Sequence, residues 1–321
     1  MPVLEVRDLQ VEYATPHAAV RAVDRVSFDV HKGEFVGIVG ESGCGKSTLL
    51  FAIAGLLNPP ATVTGGSVRF HGRELVTMTE KQLNVLRWRD FSVVLQSAMN
   101  ALNPVLALRA QFHDALVAHG NRARRANDAR CAEVMRLVGI DPVHLNSYAH
   151  QLSGGMRQRA MIAMALLFTP DLVVMDEPTS ALDVVAQRSL LVKIKELQAE
   201  LGFAIVFVTH DMSLVSHFSD QLIVMYAGRT VEIGPTRAVF DRPAHPYSRG
   251  LFDAFPSIRG PRLTLSGIPG APPDLADPPP GCRFHPRCPQ AMAACDRVEP
   301  ELYDVEAVRA RCLLYAPEGG S

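Results

Sequence analysis

Gly40-Glu41-Ser42-Gly43-Cys44-Gly45-Lys46-Ser47-Thr48 is a complete phosphate-binding loop. Its glycines let backbone N–H groups turn inward around phosphate oxygens, and Ser42, Gly43, Gly45 and Thr48 belong to that cradle. Lys46 is placed to pair with the β/γ charge, and the Ser47 hydroxyl to ligate Mg²⁺. The flanks agree with this reading. Glu34 to Val39 reads as a strand entering the loop, and Leu49, Leu50, Ile53 and Ala54 have helical spacing until Asn58-Pro59-Pro60 ends the run. Kinases, GTPases, helicases and motors share such a loop, so by itself it fixes phosphate chemistry and leaves the purpose open.

Working outward, Leu4 to Tyr13 alternates apolar and polar side chains, and Val26 to Val30 is a second strand-like run. Between about Thr79 and Pro170 helical periodicity takes over, around Val105 to Ala118 and Ala129 to Val138, which predicts a helical insert over about 96–170. Short β-rich runs then return at Leu172 to Met175, Ala204 to Val208 and Leu222 to Met225, separated by helical stretches. That alternation predicts a mainly parallel, doubly wound α/β core flanking the insert. Past Phe255 the composition changes: ten of the thirty-four residues from 256 to 289 are proline, too many for regular helix or central strand. The expected domains are therefore 1–255, a nucleotide-binding domain, and 256–321, a separate extension.

The chain has 321 residues, 48% of them hydrophobic, which is ample for a buried core. Thirty-three acidic residues against thirty-two basic ones give a formal charge of -1, so no global field recruits nucleic acid or anionic lipid. The basic run Arg122-Ala123-Arg124-Arg125 reads as a solvated turn between helices. No apolar stretch approaches the roughly 20 residues of a spanning helix, and Met1 to Asp8 has no basic region followed by an apolar core. The expectation is a cytosolic chain without a secretory signal.

Two further segments narrow the purpose. Leu152-Ser153-Gly154-Gly155-Met156-Arg157-Gln158 follows about a hundred residues after the loop, and then the apolar run Leu172-Val173-Val174-Met175 ends in Asp176-Glu177. In this order the three motifs resemble the ABC ATPases, over roughly Val3 to Ile233. The implied fold class is α/β: a P-loop NTPase core of ABC ATPase type with an antiparallel β subdomain, a helical insert and, here, a Cys/Pro-rich C-terminal extension. The implied ligands are ATP and Mg²⁺, the metal held by Ser47, Gln96 and Asp176. Glu177 is implied as catalytic base, His210 as the switch histidine at the γ-phosphate, and Gln96 as the Q-loop glutamine. Tyr13 matches the aromatic that stacks on adenine, the alternative being a strand-end core residue. Ser153, Gly154 and Gly155 precede a helix whose N-terminus suits a γ-phosphate bound to another subunit, and Asp183 in Ser180-Ala181-Leu182-Asp183 matches the D-loop. One loop and one signature per chain require a second ABC ATPase, either a copy or a sister subunit.

Gln96-Ser97-Ala98-Met99-Asn100-Ala101-Leu102-Asn103-Pro104 and Arg242-Pro243-Ala244-His245-Pro246-Tyr247-Ser248 resemble the ATPases of dipeptide, oligopeptide and nickel importers. So does the cysteine-bearing tail. The resemblance implies two transmembrane permease subunits, an extracytoplasmic substrate-binding protein reached through the complex, and a peripheral place on the cytoplasmic face of the inner membrane. Di- or oligopeptide import is the first reading; a nickel or other small-solute importer, and a soluble ATPase of DNA repair or translation, are the alternatives. A binding module without turnover would lack catalytic residues, and Lys46, Glu177 and His210 are all present.

Four of the six cysteines, Cys282, Cys288, Cys295 and Cys312, lie in the tail with five, six and sixteen residues between them. Structural disulfides do not suit a reducing cytosol, and Cys-x-x-Cys knuckles are missing. Four thiolates suit a [4Fe–4S] cluster, which the resemblance also implies; zinc and no metal are the alternatives. His285 and His245 are available as further ligands. Cys44 reads as a small spacer in the loop, with redox control as its alternative, and Cys131 as a buried apolar position.

Overall fold

The computed structural model describes residues 1–16, 18–96, 101–180, 182–254 and 267–317. In chain order, β1 (Leu4–Ala14), β2 (Ala19–Val30) and β3 (Phe35–Val39) lead to α1 (Lys46–Ile53), then to β4 (Ala61–Phe70) and β5 (Arg73–Glu74). Next come α2 (Glu80–Leu86), β6 (Phe91–Val94), α3 (Leu108–Ala118), α4 (Arg124–Leu137) and α5 (Gly154–Ala165). An alternating stretch follows: β7 (Leu172–Asp176), α6 (Val184–Leu201), β8 (Ala204–Val208), α7 (Met212–Phe218), β9 (Gln221–Tyr226) and β10 (Arg229–Pro235). The remaining elements are α8 (Thr236–Asp241), α9 (Pro246–Asp253), β11 (Tyr303–Val305) and β12 (Val308–Ala310). These residues form two compact units, one of 1–3, 30–34 and 77–207, the other of 4–29, 35–76 and 208–321.

The unit holding the phosphate loop carries an antiparallel sheet of order β2-β1-β4-β5. In β1, Leu4, Val6, Leu9 and Val11 are buried while Arg7 and Asp8 face out, and the register to β4 shifts between Arg7 and Gln10. That shift explains why a strict alternation breaks after Val6 and resumes at Leu9. In the same unit β3 runs parallel to β9, with Ile38 opposite Ile223, and β9 pairs antiparallel with β10. All five residues of β3 are buried, the mark of a strand covered on both faces.

The other unit contains β6 and β7 in parallel, Val93 opposite Val174, with α3, α4 and α5 packed against one another. Phe112 on α3 and Cys131, Val134 and Met135 on α4 are fully buried, so the helices do meet through apolar faces, as the periodicity predicts. Cys131 is an apolar core position, and burial pushes its thiol up to about 11. The strand β6 precedes the helical insert expected over about 96–170 and is not marked in the sequence. Its four residues are too few to register as a periodic pattern, and its order comes from pairing with β7.

Beyond the proline-rich residues 256–289 the tail adds two short strands that no sequence pattern marks. β11 and β12 form a hairpin, and β12 adds to the edge of β10 with Glu232 opposite Ala310 and Ile233 opposite Arg309. The turn places Glu306 at φ 52, a left-handed conformation that Val305-Glu306-Ala307-Val308 does not advertise. The proline-rich tail thus borrows the edge of an existing sheet.

An ion cluster pins this arrangement. The Asp24 carboxylate on β2 is fully buried and accepts from Arg229 Nε (2.9 Å) and Nη2 (2.7 Å) and from Arg283 Nη2. Glu299 in turn accepts from Arg229 and from Arg25. Burial raises the Asp24 carboxyl, but the hydrogen bonds and charge of Arg229, with the charges of Arg283 and Arg21, outweigh it and hold the group below its ordinary value. Its stabilising effect is present above the usual carboxylate range and is lost as pH falls through the depressed value. Replacing Asp24 by Ala takes from the buried Arg283 its carboxylate and leaves the buried Arg229 with Glu299 alone. The expected loss is about 3–5 kcal/mol, read by urea unfolding at neutral pH; a change below about 1 kcal/mol would show that the cluster is not a structural anchor.

Candidate functional site

The phosphate loop is built on a backbone constraint. Gly45 sits at φ 104 as the residue before α1, and a Cβ there would come within 2.0 Å of the Ala22 carbonyl oxygen. Only glycine satisfies both the angle and the space. Gly228 N–H donates to the Cys44 carbonyl (2.9 Å) and Asp24 N–H donates to the Gly228 carbonyl (2.8 Å), so β2 and the β9–β10 turn hold the loop. Lys46, buried, donates from Nζ to the carbonyls of Gly40 (2.8 Å) and Glu41 (2.9 Å). Cys44 is buried beside it, with Lys46 Nζ 3.7 Å from its sulfur. Burial raises the Cys44 thiol, and the nearby Lys46 only partly opposes that, which favours the spacer reading over a reactive thiolate.

Tyr13 ends its β1 run half-buried, and its hydroxyl lies 3.1 Å from Thr48 Oγ1 in the first turn of α1. This brings the candidate adenine-stacking ring to the phosphate loop. His210 is exposed and stands next to Asp211, whose carboxylate caps α7 by accepting from Ser213 N–H (2.9 Å) and Leu214 N–H (3.3 Å). Ser42, Gly43, Ser47 and Thr48 all fall in this same unit.

The second unit carries the remaining candidates. Asp176 is buried at the end of β7, and Glu177 follows with φ 44. A glutamate in the left-handed region is strained, and such strain concentrates at functional sites. Gln96 Nε2 donates to Glu177 Oε2 at 2.8 Å, so the structure joins two residues that lie 81 positions apart. Ser97, Ala98, Met99 and Asn100 of the adjoining motif lie outside the described residues, as does Ala181. Ser153 caps α5, its hydroxyl accepting from Met156 N–H (3.2 Å), so Gly154 and Gly155 form the first turn of that helix. Asp183 caps α6 in the same manner by accepting from Ala186 N–H (2.9 Å).

The tail cysteines require a correction. Among the described residues no group of three or more His, Cys, Asp or Glu side chains is arranged to hold a metal ion, so the expected iron–sulfur cluster does not stand, and zinc fares no better. Cys295 and Cys312 are buried, and Cys295 Sγ accepts from Met292 N–H at 3.4 Å. Burial raises the thiols of Cys282, Cys288 and Cys312, the last to about 11, and the neighbouring sulfurs raise Cys312 further. Such groups remain protonated near neutrality and pack as small apolar side chains. His285 is engaged locally, its Nδ1–H donating to the Cys282 carbonyl (2.9 Å). His245 caps α9 by accepting from Tyr247 N–H through Nδ1 (3.0 Å), and its burial lowers it to about 3.

The residues that sequence reasoning missed are Glu41 and Arg287. Arg287 donates from Nη1 and Nη2 to both carboxylate oxygens of Glu41 (2.7 and 2.9 Å), and Tyr247, of the His245-Pro246-Tyr247 segment, accepts from Glu41 N–H (2.9 Å). Nothing local in the sequence signals a pair separated by 246 positions. Tyr247 itself is fully enclosed.

The chain matches the ABC transporter family over residues 23–180 and the oligopeptide/dipeptide transporter C-terminal region over 231–295. It is 44% identical to the dipeptide transport ATP-binding protein DppD of Bacillus subtilis, covering 93% of this chain and 90% of that one. It is 43% identical to the oligopeptide transport ATP-binding protein OppD of Salmonella typhimurium, covering 92% and 89%. Among solved structures it is similar to a dimeric ATP-binding cassette in a post-hydrolysis state bound to ADP and Pi, at 28% identity and TM-score 0.65, covering 73% of this chain and 99% of that one. CbiO1 of Clostridium perfringens, part of an ABC transporter complex, is similar at 25% identity and TM-score 0.66, covering 75% and 91%. Identity at this level across nine-tenths of both chains, on the same motifs and fold, makes the chain an ATP-hydrolysing member of the ABC family, among the ATP-binding subunits of dipeptide and oligopeptide transporters.

Proposed function

We propose that this ATPase powers the import of di- or oligopeptides through a membrane permease. The observation that carries the reading is the joint presence of a complete ATPase motif set and a C-terminal region matching oligopeptide/dipeptide transporters. Residues 1–255 form the nucleotide-binding part, with 96–170 its helical subdomain, and 256–321 the importer-type extension. Among the described residues no helix is long and apolar enough to cross a membrane, so the pathway for peptide belongs to partner subunits. The chain works at the cytoplasmic face of the membrane with two permeases, a second ATPase and a substrate-binding protein. Val184 and Val185, about four-fifths exposed directly after Asp183, support an apolar contact for a second ATPase, and Val105, three-quarters exposed, supports one for a permease near the Q-loop.

The residue roles proposed are those that the family resemblance implies. Lys46 exchanges the carbonyls of Gly40 and Glu41 for β/γ-phosphate oxygens, and the inward-turned N–H groups of Ser42 to Thr48 neutralise the phosphates. Ser47, Asp176 and Gln96 are the oxygen donors suited to Mg²⁺, which would draw charge from the β- and γ-phosphates. Glu177 orients the attacking water and takes its proton, and the Gln96 amide holds that carboxylate in place. His210 contacts the γ-phosphate, and Tyr13 stacks on adenine. The Ser153-Gly154-Gly155 turn, with its N–H groups at the start of α5, addresses the γ-phosphate on the second ATPase, and Asp183 communicates between the two.

Glu177→Gln keeps the shape and the bond to Gln96 but removes the base. The expected result is retained ATP binding with turnover in the assembled complex reduced about 10²–10⁴-fold; undiminished hydrolysis would overturn the assignment. Function itself is tested by tagging the chain in its native host, solubilising membranes gently and identifying what co-purifies. Two multi-spanning permeases, with peptides among the ligands of an associated binding protein, are expected. Recovery with nickel-binding components would redirect the cargo, and a soluble complex with DNA or ribosomes would remove the transporter.

A further inference from the structure

Glu41 is held at three points by groups outside the phosphate loop or by the loop's own lysine. Its carboxylate takes both terminal nitrogens of Arg287, its N–H donates to the Tyr247 hydroxyl, and its carbonyl accepts from Lys46 Nζ. Arg287 comes from the turn His285–Arg287 in the cysteine-bearing tail, and only 6% of its side chain is exposed. Its other donors are fixed as well: Nε donates to the Pro269 carbonyl (2.8 Å), Nη1 lies 3.3 Å from the Tyr226 hydroxyl, and the guanidinium stands 5.8 Å from the centre of the Tyr226 ring. Tyr226, Tyr247 and Phe284 form an aromatic cluster with ring centres 4.6 to 5.4 Å apart, Phe284 edge-to-face with both tyrosines.

We propose that Arg287 is a positioning residue for the ATPase reaction, by which the C-terminal tail fixes the phosphate loop through Glu41. A planar fork with two parallel bonds sets both the place and the tilt of the carboxylate, which a single-point cation does not. Glu41 in turn fixes the carbonyl on which Lys46 rests, so the tail presets the position of the ammonium group and the loop N–H groups. A loop ordered beforehand loses less freedom when the phosphates arrive, so the tail contributes to nucleotide affinity without touching nucleotide. Removing one partner of such a pair leaves the other charge uncompensated, so an unpaired Glu41 or Arg287 left there would disturb the loop directly. The ion cluster around Asp24 and Glu299 anchors the same tail by separate residues, which gives an internal control.

The proposal rests on reading Gly40 to Thr48 as the phosphate cradle, and the test separates the two. Binding of a fluorescent ATP analogue to the full chain is measured for Arg287→Met, Glu41→Gln, the double variant, Arg287→Lys, Arg25→Gln and Lys46→Ala. The expected result is Kd raised about fivefold or more in each single variant at the fork, with the double variant no worse than the weaker single. Arg287→Lys recovers part of the affinity, and Arg25→Gln, which removes the ion pairs of Arg25 with Glu299 and Asp24 and touches neither Arg287 nor Glu41, leaves Kd unchanged. Hydrogen exchange of the 41–48 amides rises in Arg287→Met and not in Arg25→Gln. A lowered Tm with unchanged Kd in the folded fork variants, or an equal loss in Arg25→Gln, would contradict the proposal. Lys46→Ala decides the rest: if it weakens binding while the fork variants do not, only the tail proposal fails, and if it too has no effect, the cradle reading fails with it.

Discussion

Everything that this chain does with a phosphate depends on one close approach, the α-carbon of Gly45 against the carbonyl of Ala22. The contact leaves no room for a side chain and requires a left-handed backbone, so the loop and β2 are fitted to each other at the level of main chain. Around that point the structure repeats the same solution. Gly228 bonds Cys44, Asp24 bonds Gly228, and the Asp24 side chain gathers Arg229 and Arg283. The loop is therefore continuous, through hydrogen bonds within one unit, with β2, the β9–β10 turn and the tail.

The tail acquires a meaning from this continuity that its composition conceals. It is rich in proline and carries four cysteines, features that suggest a separately stapled module. The structure instead secures it by edge pairing of β12 with β10, by the Asp24 and Glu299 ion cluster, and by Arg287 on Glu41. Cys295 and Cys312 are buried, and burial raises the thiols of Cys282, Cys288 and Cys312, which is the behaviour of packing groups. Stability comes from the neighbouring sheet and from paired charges, and no metal is needed to explain the order of the described residues.

Much of the fold was legible because each signal was local. The strand, glycine loop and helix around Lys46 lie within twenty residues, and the apolar run ending at Asp176 is contiguous. The helical stretch was legible for the same reason, through the buried spacing of Phe112, Leu116, Val134 and Met135. What escaped was non-local or too short. β6 has four residues and the tail strands three each, so their order depends on partners distant in sequence. The Gln96–Glu177 and Glu41–Arg287 bonds join positions 81 and 246 apart, and no spacing rule reaches that far. The iron–sulfur expectation failed differently: residue type and number suited a cluster, but the arrangement of the side chains does not.

Hydrolysis here serves peptide transport, with the phosphate loop as the nucleotide site. The most direct measurement is ATP hydrolysis by the intact complex in sealed vesicles, with and without short peptides presented by its binding protein. The expected rate rises with peptide and accompanies peptide uptake. Hydrolysis that proceeds at the same rate whether peptide is present or not, with no uptake, would contradict it.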